Sequence, residues 1–302
     1  MTSLLNRFAI LGLVLAPFCP LCLGSRSSSS IGGRYSFSLS TFDPDGKLEQ
    51  VERAATAASL GPPVVAVSLS NGAGCVLASL FATPSPLVND DGTARFVRIT
   101  DNIAVAHSGV SADGRAIAAA AQRLAVEHAY TFAGDGSDEE MIPIDLFLEE
   151  LSGLFQRYTM KPGSRPFGSS LLVAHIPSNN SNGKTSSRSS VSCCRLYRIE
   201  PSGMVRMVEP ICCIGGGGER GVGVADKIVE HLEERRCADA SSLEEAVRIL
   251  LEVMREVLSE EDAKVVSDSQ KIPEPTFLAS TLTRTRGLEV RKVHPPQQEE
   301  ER

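Results

Sequence analysis

The spacing of apolar residues predicts strands and helices in separate blocks along the chain. Runs that are β-branched or that alternate apolar and polar residues predict eight strands, at 64–69, 75–80, 96–99, 103–107, 169–176, 193–199, 204–208 and 276–282. Apolar residues three and four apart predict four long helices, at 113–130, 143–158, 222–236 and 243–258. Strand blocks that alternate with helix pairs do not suit a parallel fold of βαβ units. They predict an α+β fold, a four-layer αββα sandwich of two antiparallel sheets with a helix pair on each outer side.

The stretch from residue 34 to residue 54 predicts an extended segment, a turn and the start of a helix, in that order. Residues 36–40 alternate polar and apolar side chains, which is typical of a half-buried strand. The sequence Asp43-Pro44-Asp45-Gly46 favours a turn, because proline fixes φ, glycine permits positive φ and Asp side chains bind nearby amides. Helical spacing then gives a helix one apolar face, formed by Leu48, Val51 and Ala55.

The 302 residues predict one main domain between two weakly structured ends. We expect the domain at 31–292, with a flexible Ser/Asn-rich insertion at 178–192 and a disordered tail at 293–302. Residues 1–30 are a leader or a disordered extension. Their apolar run, 8–23, follows Arg7 like a signal peptide but lacks a clear cleavage site, so an inert extension and a misassigned start codon stay open.

Composition and the reactive side chains exclude several classes of function. A net charge of -7 argues against a general nucleic-acid binder. The eight cysteines include two adjacent pairs and suggest buried thiols in a reducing compartment rather than a disulfide framework. Neither the scattered histidines nor the lone Cys19/Cys22 spacing suggests a metal. The glycine run at 215–218 lacks the Gly-Lys-Ser/Thr ending of a phosphate loop. We expect no cofactor and no metal.

Two stretches resemble the proteasome alpha-type subunits, most closely the type-two subunit. The first contains Tyr35, the turn Phe42-Asp43-Pro44-Asp45-Gly46, and Gln50 and Glu52 of the following helix. The second is Arg165-Pro166-Phe167-Gly168 ahead of an apolar strand. The resemblance covers residues 34–282 and implies the N-terminal-nucleophile hydrolase fold, with a non-catalytic structural and gating role in the alpha ring of the proteasome core particle.

The resemblance also implies partners and a location. The partners are other alpha and beta subunits in hetero-oligomeric rings that serve ubiquitin-dependent protein catabolism, with no membrane or nucleic acid, in cytoplasm and nucleus. We expect Leu48, Val51 and Ala55 to pack against a neighbouring subunit, because an apolar face is rarely left exposed.

The same comparison predicts that the chain is not an enzyme, although it would belong to a threonine-protease complex. Catalytic beta subunits use an N-terminal Thr at the start of the first core strand, with its free amine as the base. Here that strand begins Pro63-Val64-Val65. The lysine that beta subunits need some thirty residues further on is also missing, since no Lys occurs between Lys47 and Lys161.

Three departures from the family pattern leave a second interpretation open. Arg53 stands where the family's helix has Tyr, and the stretch 78–84 has no cation for the carboxylate of an activator tail, so activator binding is doubtful. The third departure is the extra sequence at 1–30 and 178–192. These features favour a divergent paralogue that keeps the fold outside the proteasome, in the secretory pathway if residues 1–30 work as a signal peptide. A third option is an active N-terminal-nucleophile hydrolase.

Overall fold

The structure is a computed structural model that describes residues 38–43, 45–81, 95–132, 142–177, 194–217, 223–265, 276–283 and 287–293. Five α-helices lie within these ranges: α1 Glu49–Ser59, α2 Ser111–Phe132, α3 Ile144–Met160, α4 Val224–Glu234 and α5 Leu243–Val265. The strands are β1 Val64–Ser68, β2 Cys75–Phe81, β3 Phe96–Arg98, β4 Ile103–Gly109, β5 Ser169–His175, β6 Arg195–Ile199, β7 Val205–Met207, β8 Ile211–Ile214, β9 Thr276–Thr283 and β10 Gly287–Val293.

The strands form two five-stranded sheets in which every neighbouring pair is antiparallel. The first sheet has the order β10-β9-β2-β1-β8, and the second has the order β3-β4-β5-β6-β7. The predicted hairpins are present, since β1 pairs with β2 across the turn at Asn71 and β3 pairs with β4 across Asp101.

Three apolar cores hold the layers together. The central core lies between the sheets and includes Val64, Leu77, Leu172 and Leu196. An outer core joins the first sheet to α4 and α5, and a second outer core joins the other sheet to α2 and α3. Because β1 has both faces in a core, all five of its residues are buried. The predicted four-layer αββα sandwich is therefore confirmed.

The structure corrects the sequence predictions in two places. Residues 38–40 are not a strand: they bend, and the Thr41 amide donates to Ser38 Oγ at 3.1 Å. Two strands were also missed, β8 and β10, so β9 is not the last strand of the core.

Several predicted features fall on residues outside the described ranges. These are Tyr35 and Pro44 of the family signature, the leader at 1–30, the insertion at 178–192 and all of the tail at 293–302 except Val293, which is the last residue of β10. Among the described helices, none has the length and apolar character needed to cross a membrane.

Candidate functional site

The turn ahead of α1 is built around the backbone and side chain of Asp43. The Lys47 amide donates to Asp43 Oδ1 at 2.7 Å, and the Gly46 amide donates to the Asp43 carbonyl at 2.9 Å. Gly46 has φ of +77°, a value that favours glycine. The predicted turn chemistry is therefore confirmed for Asp43 and Gly46. Phe42, which precedes the turn, is 63% exposed.

Helix α1 carries an ion pair on its exposed side. Arg53, the residue that replaces the family's Tyr, binds the Glu49 carboxylate one helical turn earlier. Both side chains are partly exposed, so the pair holds Arg53 along α1 more than it stabilises the fold. The signature residue Gln50 is half-buried on the same helix, and Glu52 is exposed.

The face of α1 that packs on the chain's own body is formed by Ala54 and Ala58, which are 7% and 1% exposed. The three residues predicted for subunit packing lie elsewhere. Ala55 is exposed, and Leu48 and Val51 are half-buried. The sequence pattern therefore did not identify the inward face. An outward contact through these three residues stays a prediction.

The end of α1 packs closely against the backbone at the ends of β4 and β8. Glycines lie at these contacts, where a side chain would clash. A Cβ on Gly61 would lie 2.0 Å from the Gly109 amide nitrogen, at the end of β4. A Cβ on Gly215, at the end of β8, would lie 2.1 Å from Ser108 Oγ. The Gly216 amide donates to the Gly61 carbonyl at 2.8 Å, and the Gly217 amide to the Ser59 carbonyl at 2.7 Å. The glycine run thus serves to fix α1 and the start of β1.

The start of β1 presents no nucleophile paired with a base. Val64 is fully buried, and the chain reaches it from α1 through residues 60–63. The nearby hydroxyls are used structurally, since Ser108 Oγ donates to the Pro62 carbonyl and Ser169 Oγ to the Ser108 carbonyl, both at 2.7 Å. Within the described ranges no cluster of His, Cys, Asp or Glu has the arrangement of a metal site.

The second family motif is held by a carboxylate at the start of α2. Arg165 donates to both Asp113 oxygens, at 2.6 and 2.8 Å, and the Gly168 amide donates to Asp113 Oδ2 at 2.9 Å. Burial of Asp113 acts to raise its pKa, but these hydrogen bonds and the Arg165 charge outweigh it, so the pKa lies below its ordinary value.

The aromatic member of this motif, Phe167, packs on α3. Its ring centroid lies 5.4 Å from that of Phe155 and 4.4 Å from that of Tyr158. Pro166 is buried beside it. The motif therefore joins the starts of α2 and β5 to the end of α3. Sequence analysis missed Asp113, because 52 residues separate it from Arg165 and no local pattern links them.

A pocket of about 310 Å³ lies where α1, the glycine run and α4 meet. Its charged lining residues are Arg198, Glu200 and Asp226, and Arg198 Nε lies 3.5 Å from Glu200 Oε1. The pocket has charges of both signs but no nucleophile activated by a base.

Comparison with known proteins identifies the family. A family model described as "Proteasome subunit" matches residues 58–267. The rice (Oryza sativa subsp. indica) proteasome subunit alpha type-2 is 32% identical over 170 residues, which are 56% of this chain and 63% of the relative. The alpha type-2 subunit of Drosophila melanogaster is 38% identical over 140 residues, 46% of this chain and 56% of the relative. The proteasome subunit alpha of Methanopyrus kandleri is 28% identical over 237 residues, 78% of this chain and 86% of the relative.

The chain thus spans somewhat less than two thirds of the length of the rice alpha type-2 relative and more of the archaeal one. The family model matches well over half of the chain, and the matched range contains β1 to β8 and all helices except most of α1. On this ground the chain belongs to the proteasome subunit family.

Proposed function

We propose that the chain is a non-catalytic subunit of the alpha ring of the proteasome core particle. The observation that carries the proposal is the turn and helix ahead of β1. The chain passes from α1 through residues 60–63 into a fully buried β1, so the first core strand has no free amine at its start. An N-terminal nucleophile needs that free amine as its base. Relatives that carry the name proteasome subunit alpha support the same assignment.

The proposed partners are other alpha and beta subunits. Ala55 is exposed on α1, beside the half-buried Leu48 and Val51, and together they give a neighbouring subunit an apolar surface to cover. Gate opening around this subunit is expected to be impaired, because Arg53 pairs with Glu49 and lacks the phenol of the family's Tyr. The proposed location is the cytoplasm and the nucleus.

Native purification tests the assembly. A chain with a C-terminal tag is isolated from native lysate, and its size, its partners and its mature N-terminus are determined. We expect it to elute with the core particle alongside alpha and beta subunits. A chain that elutes alone, with residues 1–24 removed, would contradict the proposal and would favour the secretory paralogue.

A matched pair of variants tests the surface. Ala55→Glu places a charge on the proposed contact, while Ser259→Glu places the same charge on the exposed side of α5. Both sites are exposed, so we expect both variants to fold. Incorporation into the particle should fall at least several-fold for Ala55→Glu and remain normal for Ser259→Glu. Equal incorporation of the two variants would show that Ala55 faces solvent in the particle.

Peptidase activity gives an independent test. The purified chain should not hydrolyse fluorogenic peptides, and a covalent inhibitor directed at N-terminal Thr should leave its mass unchanged. Hydrolysis by a chain that had been shortened to a new N-terminal nucleophile would establish the active hydrolase instead.

A further inference from the structure

Two thiols meet at the edge of the central core, one from each sheet. Cys75 is the first residue of β2 in the first sheet, and Cys194 immediately precedes β6 in the second sheet. Both belong to the apolar cluster between the sheets, and they are 0% and 1% exposed.

Ser68 is a neighbour of both cysteines. Ser68 of β1 stands directly opposite Cys75 in the antiparallel pair, which places their Cα atoms about 5 Å apart. The Ser68 hydroxyl donates to the Cys194 carbonyl at 2.6 Å, across the gap between the sheets. Cys75 and Cys194 therefore flank the same side chain.

The Cys75 side chain is also close enough to influence the Cys194 thiol. A hydrogen bond with the Cys75 thiol, burial and the nearby Cys75 charge raise the pKa of Cys194 well above its ordinary value. Its sulfur makes a further long contact, 3.9 Å, to the Arg195 carbonyl. Two buried thiols that flank the same side chain in one core need little movement to form a covalent bond, provided that their Cβ vectors allow it.

We infer that Cys75 and Cys194 form a disulfide site that covalently joins the two sheets of the sandwich under oxidising conditions. Access comes from the ends of the strands, because Cys75 follows the hairpin turn at 69–74 and Cys194 immediately precedes β6. Backbone hydrogen bonds at strand ends open more readily than those at strand centres.

The chemistry balances with a small-molecule disulfide as the oxidant. The thiolate of one cysteine attacks the oxidant, breaks its S–S bond and releases one small thiol. The second cysteine loses its proton and attacks the mixed disulfide, which forms the Cys75–Cys194 bond and releases a second small thiol. Two electrons pass from the protein thiols to the oxidant.

Cys212 provides a matched control. It is a buried thiol in the same central core, on β8, and burial raises its pKa to about 11. Ile211–Ile214 pair with the far side of β1 from β2, so Cys212 is not a strand neighbour of Cys75.

The test uses the full chain incubated with oxidised glutathione, followed by alkylation of free thiols and peptide mass spectrometry without reduction. We expect one linked peptide pair containing Cys75 and Cys194 in the wild type and in Cys212→Ser. The link should be absent from Cys75→Ser and from Cys194→Ser. Failure to form the link in a folded wild-type chain, or a link between other cysteines, would overturn the inference.

Thermal unfolding gives a second readout. Closing the long segment between the two cysteines should raise the melting temperature of the oxidised wild type by about 10 °C. Cys212→Ser should show the same rise, and Cys194→Ser none. A linked protein with an unchanged or lower melting temperature would show that the bond distorts the sandwich, which would overturn its role as a link between intact sheets.

Discussion

At the scale of single residues, Asp113 of α2 is the carboxylate that holds the second motif in place. It accepts two hydrogen bonds from Arg165 and one from the Gly168 amide. We expect Asp113→Asn to lower the free energy of unfolding by about 2 kcal/mol, because hydrogen bonds to a charged group are stronger than neutral ones. Chemical denaturation measures this loss.

Arg235→Ala is the control for that prediction. Arg235 also contacts carboxylates, those of Glu252 and Glu256, but on the exposed surface of α5. Its loss should have a clearly smaller effect than Asp113→Asn. Equal effects would indicate that Asp113 is no better supported than a surface ion pair.

His175, at the end of β5, should make stability depend on pH. Burial, followed by the positive charge of Arg195, lowers its pKa from 6.5 to about 4, against a smaller opposing influence of Asp145. The unfolded chain therefore takes up a proton near pH 6.5, whereas the folded chain does so only near pH 4. Stability should be greatest above pH 6.5 and fall as the pH drops toward 4.

Denaturation midpoints measured between pH 4 and pH 7.5 test this dependence. His175→Gln should flatten the curve, whereas Val126→Ala, a substitution at an exposed site on α2, should leave it unchanged. A wild-type midpoint that is constant over this range would contradict the assignment to His175.

At the scale of elements, two alanines of α1 differ in how deeply they are buried. Ala58 is 1% exposed against the sandwich, while Ala55 is exposed. Ala58→Leu should destabilise the isolated chain by about 2 kcal/mol, because there is no space for the added methylenes. Ala55→Leu should change stability by less than about 0.5 kcal/mol. Thermal or chemical unfolding checks both values, and a reversed order would mean that α1 is rotated from the position described.

Sequence patterns predicted most elements, and the failures have physical causes. The strand β8 was missed because Ile211–Ile214 are only four residues, too few to show a period, and a glycine run follows them. The strand β10 has charged residues along much of its length and therefore lacks the apolar signal of a core strand. On α1, Ala54 and Ala58 are small, so the larger Leu48 and Val51 dominated the pattern.

For the site, the signature turn and the Arg165 motif were found in advance, because they are continuous in sequence. The residues that hold the turn and the motif in place were not predicted. The Asp113 carboxylate and the meeting of Gly61 with Gly109 depend on contacts between elements distant in the chain. Spacing alone contains no information about such contacts.

At the scale of the whole molecule, the central core makes the two sheets one cooperative unit. Leu196 of β6 is fully buried there, together with Leu77 and Leu278 of the first sheet. We expect Leu196→Ala to cost about 3 kcal/mol and to preserve a single unfolding transition. Val126→Ala, at a site 66% exposed on α2, should leave the isolated chain's stability unchanged. Separate transitions for the two sheets, seen by hydrogen exchange, would contradict this view.

The edge strands of the two sheets affect how readily the molecule aggregates in crowded solution. Both edges of the second sheet are strands of three residues, Phe96–Arg98 and Val205–Met207. An outer edge of the first sheet is β10, whose sequence includes Glu289, Arg291 and Lys292. Short or charged edges are poor templates for a foreign strand. These three edges therefore disfavour fibril growth by strand addition, and copies made in excess of their partners have little means of joining through them.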